Sequence, residues 1–384
     1  MYSFLSFTLV TLSISICLHS AISQASPHPR PFNKVYVFGD SYTDTGNLND
    51  TTTRPSIFQH VDSLPYGRTF FHRPTNRYSD GRLVIDFIAE SLNLPYFPPY
   101  LNKTANTTHG VNFAVSGCTA IPFSFFLKNN ITSVVPQSLT TQLTWFKDYI
   151  KGSGCNDAVS TPAECKAVFD GALVWIGQIS ANDYNYINLI GTNVTSKTVQ
   201  KLAIKYQTQV INELLKMGAK YVVVQGLPTT GCFPLSFLLV PPPTELDQIG
   251  CVAIKNKESY DHNMVLQAKL HGLRNKFPSA VIVYGDDWHA YREVYENAGK
   301  YGFIERFRTC CGSGGGAYNV VPDPRRTCGA PGVMSCKHPS RYMNWDGLHV
   351  TEGLNRVVSK LFLDGAFAEP PFPYLLKKAA ESGV

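Results

Sequence analysis

Short stretches in which almost every residue is apolar are separated along the chain by longer stretches whose apolar residues recur every three or four positions. The short stretches predict five strands, at Lys34–Phe38, Gly110–Ala114, Ala172–Ile176, Tyr221–Gln225 and Ala280–Tyr284. Several of them are apolar nearly throughout instead of alternating, which is typical of strands covered on both faces of a parallel sheet.

The longer stretches predict helices at Arg82–Leu92, Ser196–Met217, Gly250–Phe277, Asp287–Asn297 and Thr351–Leu363. Gly218 and Pro278 stand where two of these helices should end. Strands that alternate with helices predict an α/β fold with a parallel sheet and right-handed crossovers. No repeat or linker divides the chain, so we expect residues 26–384 to form a single domain.

The N-terminal segment has the pattern of a secretory signal. Phe4–Leu18 is mostly apolar, and small and polar residues follow it up to Ala25. This pattern predicts a signal peptide at residues 1–25 that is cleaved after Ala25. The run is too short to span a bilayer, and we expect no transmembrane segment elsewhere. The predicted location is therefore extracellular, in the apoplast or cell wall, with the vacuole as an alternative.

Potential glycosylation sites agree with secretion. Five N-x-S/T sequons begin at Asn49, Asn102, Asn106, Asn130 and Asn193. Each is a possible acceptor for an N-glycan, so we expect N-glycans on the protein.

The cysteines predict a disulfide framework. Cys17 lies in the predicted signal, and the local spacing favours bridges between Cys155 and Cys165, between Cys232 and Cys251, and two more among Cys310, Cys311, Cys328 and Cys336. A zinc site is the alternative for the last four, but an oxidising compartment favours disulfides. Cys118 is left over and is predicted to be a small buried hydrophobic residue. The segment Arg306–Trp345 has little regular pattern and is predicted to be a cross-linked loop region.

Composition excludes several classes of function. The chain has 384 residues and a net charge of +6, and contains no run of Lys or Arg, which disfavours nucleic-acid binding. It lacks a G-x-S-x-G elbow, a phosphate-binding loop and an H-E-x-x-H helix. The remaining histidines show no metal-ligand spacing. We therefore expect neither a metal nor a cofactor.

Two short motifs could carry hydrolytic chemistry. Phe38–Ser41 follows the first predicted strand, and ligands of open α/β sheets bind beyond the carboxyl ends of strands. Asp346 and His349 are three residues apart near the C-terminus, so a carboxylate can orient an imidazole there. Taken alone, the first motif is more typical of an ordinary turn, and the second is equally typical of a turn with an Asp that caps the following helix.

Two further motifs each follow a predicted strand. They are Asn112–Gly117 and Ala181–Tyr184. The N–H of Gly117 and the side-chain amide of Asn182 could join the N–H of Ser41 as donors to an oxyanion. The alternative for Gly117 is a packing turn, and for Asn182 an Asx-turn or a strand cap.

Taken together, these sites resemble the SGNH hydrolases, and the surrounding sequence resembles the plant GDSL esterase/lipase family, nearest its branch of acetylajmalan and sinapine esterases. The matching stretches are Phe38–Asn47, Asn112–Gly117, Asn182–Tyr184, Cys310–Gly312 and Asn344–Glu352. The resemblance extends from about Lys34 to about Phe362.

This resemblance implies a three-layer α/β/α, flavodoxin-like fold with a parallel central sheet of about five strands. It also implies a serine hydrolase that cleaves small-molecule esters. Ser41 would be the nucleophile and His349 the general base and then acid, with Asp346 orienting His349. The oxyanion hole would consist of Ser41, Gly117 and Asn182. One departure is that Ser180 and Ala181 stand where the family usually has two glycines, which predicts a narrower acyl pocket and short acyl groups.

Other interpretations stay open at this point. An acyltransferase would use the same serine chemistry with an alcohol in place of water, and a catalytically silent glycan- or wall-binding protein could share the fold. The apolar segments Ile121–Leu127 and Cys232–Val240 are predicted to be buried packing, with the lining of an acyl or aromatic pocket as the alternative.

Overall fold

The computed structural model describes residues 31–48, 59–132, 135–152, 155, 165, 167–190, 192–240, 244–321 and 323–382. The predicted signal peptide and the sequon at Asn49 lie outside the described residues. The other four sequon asparagines are exposed, as their predicted role requires.

Eight strands occur in the described residues. They are β1 (Lys34–Phe38), β2 (Gly110–Asn112), β3 (Ala172–Ile176), β4 (Tyr221–Gln225), β5 (Val281–Gly285), β6 (Glu305–Thr309), β7 (Tyr342–Asn344) and β8 (Ala368–Glu369). The central sheet has the order β2-β1-β3-β4-β5-β8. The first five of these strands run parallel, as predicted, and the short β8 pairs antiparallel with β5 as a sixth, unpredicted edge strand.

Ten α-helices surround the sheet in the part of the chain that the structure describes. They are α1 (Val84–Ser91), α2 (Phe123–Lys128), α3 (Leu139–Lys151), α4 (Ala181–Ile190), α5 (Ser196–Lys216), α6 (Pro234–Leu239), α7 (Ala253–Lys276), α8 (Asp287–Glu296), α9 (Glu352–Leu363) and α10 (Phe372–Glu381). All five predicted helices are present within a few residues of their predicted ends. Helices α2, α3, α4, α6 and α10 were not predicted.

The helices cover both faces of the sheet, which confirms the three-layer prediction. On one face, alternate strand residues such as Phe38 and Ile176 pack against α3, α4, α5 and α7. On the other face, residues such as Val37 and Trp175 pack against α1, α8, α9 and α10. The strand order changes direction between β1 and β3, and the carboxyl ends of strands at such a point form a crevice where ligands bind.

The segment Arg306–Trp345 is more regular than predicted. Strands β6 and β7 pair in parallel as a second, two-stranded sheet. The predicted cross-linked loop region therefore lies between these two strands, and the strands themselves were not predicted. The partner strands are short and far apart in sequence, so neither shows a local pattern. The predicted cross-links are present as Cys310–Cys336 and Cys311–Cys328.

The remaining cysteine predictions are also confirmed. Cys155 is bonded to Cys165, and Cys232 to Cys251. Cys118 is buried and free. Among the described residues, no helix is long and apolar enough to cross a membrane.

Candidate active site

The turn after β1 is held in place by bonds to the backbone of Gly39. The buried Gln142 side chain of α3 accepts from the Gly39 N–H at 3.0 Å and donates to the Gly39 carbonyl at 2.8 Å. The same carbonyl accepts from the N–H of Val115 at 3.2 Å and from the thiol of Cys118 at 3.1 Å. Gly39 has a φ of +149°, a conformation that glycine adopts readily. Ser41, two residues later, is thereby fixed at the sheet edge.

The structure brings Ser41, His349 and Asp346 together. The Nε2 of His349 lies 2.8 Å from the Oγ of Ser41, and its Nδ1 lies 2.8 Å from the Oδ2 of Asp346. The other carboxylate oxygen, Oδ1, accepts from the backbone N–H of His349 at 2.8 Å. All three side chains are buried. A hydroxyl, an imidazole and a carboxylate in this order form a relay that can remove a proton from the hydroxyl.

The competing interpretation of Asp346 as a helix cap does not hold. Helix α9 is capped by Thr351, whose side-chain oxygen accepts from the N–H of Leu354. The carboxylate of Asp346 is bonded to its own turn and to His349.

Sequence reasoning missed the aromatic surroundings of this relay. The hydroxyl of Tyr66 donates to Asp346 Oδ2 at 2.8 Å. The ring of Tyr78 lies 4.8 Å from the imidazole of His349, and the ring of Tyr42 lies 5.5 Å from it, measured between ring centroids. Tyr66 and Tyr78 lie outside any motif and carry no sequence signal. Tyr42 belongs to the stretch Phe38–Asn47, but only the fold shows that its ring lies near His349.

Electrostatics distinguishes Asp346 from the other carboxyl groups near Ser41. Burial raises the pKa of Asp40 to about 8 and that of Asp183 to about 7. Burial also acts to raise the pKa of Asp346, but the charge and hydrogen bonds of His349 and the bond from Tyr66 hold it below its usual range. Asp346 is therefore the carboxyl that stays ionised most easily, and it lies next to the imidazole.

The start of α4 holds the loop that contains Gly117. The side-chain amide of Asn182 donates to the carbonyl of Cys118 at 3.0 Å, and the hydroxyl of Tyr186 donates to the carbonyl of Gly117 at 2.9 Å. Asp183, which was not predicted as a site residue, accepts from the N–H groups of Ala120 and Ile121, each at 2.9 Å.

The two predicted backbone donors are not used within the described part of the chain. None of the described residues accepts from the N–H of Ser41 or of Gly117. The amide of Asn182 has a second N–H in addition to the one bonded to Cys118. The three predicted donors thus lie on three different strand-end segments, each with an N–H group that no described residue is seen to accept.

A narrow pocket opens beside Ser41. It holds about 550 Å³ of empty space, counting its open mouth. Ala181, Leu227, Phe233 and Leu348 are among its apolar lining residues. The alternative role of Cys232–Val240 as pocket lining is thus realised in part by Phe233 and Ser236, whereas Ile121–Leu127 does not line this pocket. Ile121 and Phe126 instead pack in the core.

In the described part of the chain, neither a cluster of potential metal ligands nor the buried His262 belongs to this site. No group of three or more His, Cys, Asp or Glu side chains within the described residues could hold a metal ion. His262 is buried, its Nδ1 lies 3.0 Å from the hydroxyl of Tyr184, and burial lowers its pKa to about 3. It is a neutral core residue behind the pocket.

Ser180 adopts a backbone conformation that suits glycine. Its φ is +100°, and its buried hydroxyl has no hydrogen-bond partner in the described part of the chain. A Cβ-bearing residue in this region is strained by about 1–3 kcal/mol. The backbone at position 180 thus keeps a conformation that favours glycine, although the residue there carries a side chain.

We predict that Ser180→Gly stabilises the protein by about 1 kcal/mol or more, because it removes both the strain and a buried hydroxyl. Ala181→Gly is the matched control at the next position. Ala181 lies in α4, so glycine there should cost up to about 1 kcal/mol. Urea unfolding of the two variants measures both effects. A Ser180→Gly variant that is less stable than the wild type would contradict the claim that the backbone at Ser180 is strained.

Substitution of two buried glutamines tests how much the hydrogen bonds between Gln142 and Gly39 stabilise the protein. Gln142 and Gln207 are both fully buried, but both amide atoms of Gln207 lack a partner among the residues described. Gln142→Met should cost about 1–3 kcal/mol, because the buried N–H of Gly39 loses its acceptor, while the Gly39 carbonyl keeps its bonds from Val115 and Cys118. Gln207→Met, the same change in α5, should be neutral or stabilising. Equal losses in urea unfolding would show that Gln142 has no special role.

Comparison with known proteins agrees with the expected resemblance. Residues 35–362 match the family model described as GDSL-like Lipase/Acylhydrolase. A GDSL esterase/lipase of Arabidopsis thaliana is 49% identical over 378 residues, 96% of each chain. Acetylajmalan esterase of Rauvolfia serpentina is 38% identical over 346 residues, which are 87% of this chain and 86% of that protein. The family match covers most of the chain, and these relatives align over nearly their whole length, so the chain belongs to the GDSL-like lipase/acylhydrolase family.

Proposed function

We propose that this protein hydrolyses small-molecule carboxylic esters through an acyl-enzyme formed on Ser41. The observation that carries the proposal is the relay of two 2.8 Å contacts that joins Ser41, His349 and Asp346. Its position beyond the carboxyl end of β1, where the strand order reverses, supports the same interpretation. The names of the relatives, which describe esterases, agree with it.

In the first half-reaction, His349 Nε2 would take the proton of the Ser41 hydroxyl as Oγ attacks the ester carbonyl. Asp346 would hold the ring in the tautomer that presents a free Nε2 lone pair and would stabilise the imidazolium. His349 would then return the proton to the leaving alcohol. Tyr66, which donates to Asp346, is a positioning residue in this scheme.

In the second half-reaction, water would attack the acyl group on Ser41 with His349 again as the base. The free acid leaves, and Ser41 regains its proton. The developing negative charge on the carbonyl oxygen would be met by the N–H groups of Ser41 and Gly117 and by the amide of Asn182. Such preorganised donors are worth about 2.7–4 kcal/mol each in transition-state stabilisation.

The proposed substrates have short acyl groups. Ala181 lines the pocket beside Ser41, and Ser180 adds a side chain to the segment before it. The methyl group of Ala181 occupies space that a glycine would leave open, which supports a narrow acyl site.

Secretion is also part of the proposal, and it is supported by four disulfides and four exposed sequons.

We predict that Asp346→Asn lowers kcat by about 10⁴-fold with little change in KM, because the asparagine no longer orients and stabilises the histidine. Asp287→Asn is a matched control at another buried carboxyl, whose pKa burial raises well above its usual range. That variant should keep most of the activity on the same acetyl ester. Equal losses in both variants would remove Asp346 from the mechanism.

The wild-type rate should be higher near neutral pH than in acid, because only a neutral imidazole can accept the proton of Ser41. The low pKa of Asp346 keeps its carboxylate ionised over that range, so Asp346 should add no further step. A rate that is highest below about pH 5 and falls above it would contradict a histidine base.

Product analysis with added alcohol distinguishes hydrolysis from acyl transfer, since new ester as the main product would indicate a transferase.

A further inference from the structure

An ion pair lies inside the pocket at Ser41. Lys255 and Glu258, one turn apart on α7, both line this pocket, and their charged atoms are 2.9 Å apart. Their side chains are only 13% and 14% exposed. Both residues, with Tyr184, also line an open groove that adjoins the pocket on its outer side. The pair therefore lies between the pocket and the groove.

Stability does not explain this ion pair. Removing two charges from water costs free energy that their mutual attraction often fails to return, and a pair three residues apart on a helix adds little to stability. The same helix carries an ordinary surface pair, Lys257 and Asp261, whose side chains are 72% and 48% exposed. Only the desolvated pair reaches the pocket beside Ser41.

Neighbouring hydroxyl groups make this end of the pocket rich in acceptors. Thr230 donates its proton to the carbonyl of Lys255, and Ser236 donates to the carbonyl of Thr230. Ser259 donates to the carbonyl of Asn256. Because their protons are used within the protein, these hydroxyls offer a ligand only lone pairs. The three hydroxyl groups and the carboxylate of Glu258 together give four hydrogen-bond acceptors. The ammonium group of Lys255 is the strong donor beside them.

The chemistry of a matching ligand follows from this inventory. An alkyl group would cover the charges without replacing their contacts with water, which is costly. A net charge on the ligand would be attracted by one member of the pair and repelled by the other. A hydroxyl group can donate to Glu258 or to a serine or threonine oxygen and can accept from Lys255.

We propose that Lys255 and Glu258 form a specificity subsite for esters that carry neutral hydroxyl groups on the half of the molecule that enters this pocket. The proposal rests on the hydrolytic function of Ser41 and adds a substrate class to it. Plain fatty esters are disfavoured by this subsite, because an alkyl group displaces the water that contacts the pair and offers no hydrogen bond in return.

Two pairs of esters test the subsite. Glyceryl monoacetate and propyl acetate differ in hydroxyl groups on the alcohol half, and methyl 3-hydroxybutyrate and methyl butyrate differ on the acyl half. The wild type should show a kcat/KM at least about tenfold higher for the hydroxylated member of one pair, because a site built to bind hydroxyls rejects analogues that lack them. The pair that shows the preference identifies which half of the ester enters the pocket.

Variants of the ion pair should abolish this preference. Glu258→Gln, Lys255→Met and the double variant Lys255→Met/Glu258→Met should bring the ratio close to one, chiefly by lowering kcat/KM for the hydroxylated esters. The double variant leaves no lone buried charge, so it avoids the folding cost of a single neutralisation. Lys257→Met, on the exposed pair, should keep the wild-type ratio.

Binding to the Ser41→Ala variant separates this inference from the proposed hydrolysis. Its affinity for the same esters, measured by calorimetry, should show the same preference and the same loss in Glu258→Gln. Preferential binding without turnover by the wild type would contradict hydrolysis but support the subsite. Equal binding and equal kcat/KM within both ester pairs, or a preference unchanged by the ion-pair variants, would overturn the subsite.

Discussion

The site depends on the buried turn that follows β1. The backbone there has left the sheet, yet its N–H and carbonyl groups are buried and must find partners. A single side chain, Gln142, satisfies both groups of Gly39, and the loop that contains Cys118 adds further bonds to the same carbonyl. Because Asn182 bonds to Cys118 in turn, the segments after β1, β2 and β3 form one connected network. The position of Ser41 relative to the proposed oxyanion donors is set by this network.

His349 and Asp346 come from a separate part of the chain, so their alignment with Ser41 needs its own support. The disulfide-linked segment around β6 and β7 supplies this support, because the backbone N–H of Cys311 donates to the carbonyl of Trp345, the residue before Asp346. Tyr66 reaches Asp346 from a third segment, far away in sequence. Two unrelated loops thus fix the carboxylate. The charge of His349 and hydrogen bonds from the protein, and not exposure to water, keep it ionised in a buried place.

Much of this arrangement was predictable from the sequence, for identifiable reasons. Strands covered on both faces are apolar throughout, so β1, β3 and β4 were predicted with their exact ends. The sites of Ser41, Asn182 and His349 followed from short motifs placed at strand ends. Helix α3 was missed because its buried face includes Gln142, a polar residue that interrupts the apolar pattern. Tyr66 and the Lys255–Glu258 pair have no local signature, and only tertiary contacts reveal what they touch. The unusual backbone conformation at Ser180 has one sequence signal, which is that the resembled family usually has glycine at this position.

The central claim is that Ser41 is the residue on which the acyl group is carried. A fluorophosphonate probe followed by digestion and peptide mass mapping tests it most directly, because such probes react with a serine hydroxyl that is activated by a neighbouring base. We expect one adduct per chain, on the peptide that contains Ser41, and its loss when the protein is unfolded or when His349 is replaced by alanine. An adduct on another residue, or a folded and unmodified protein, would contradict the account.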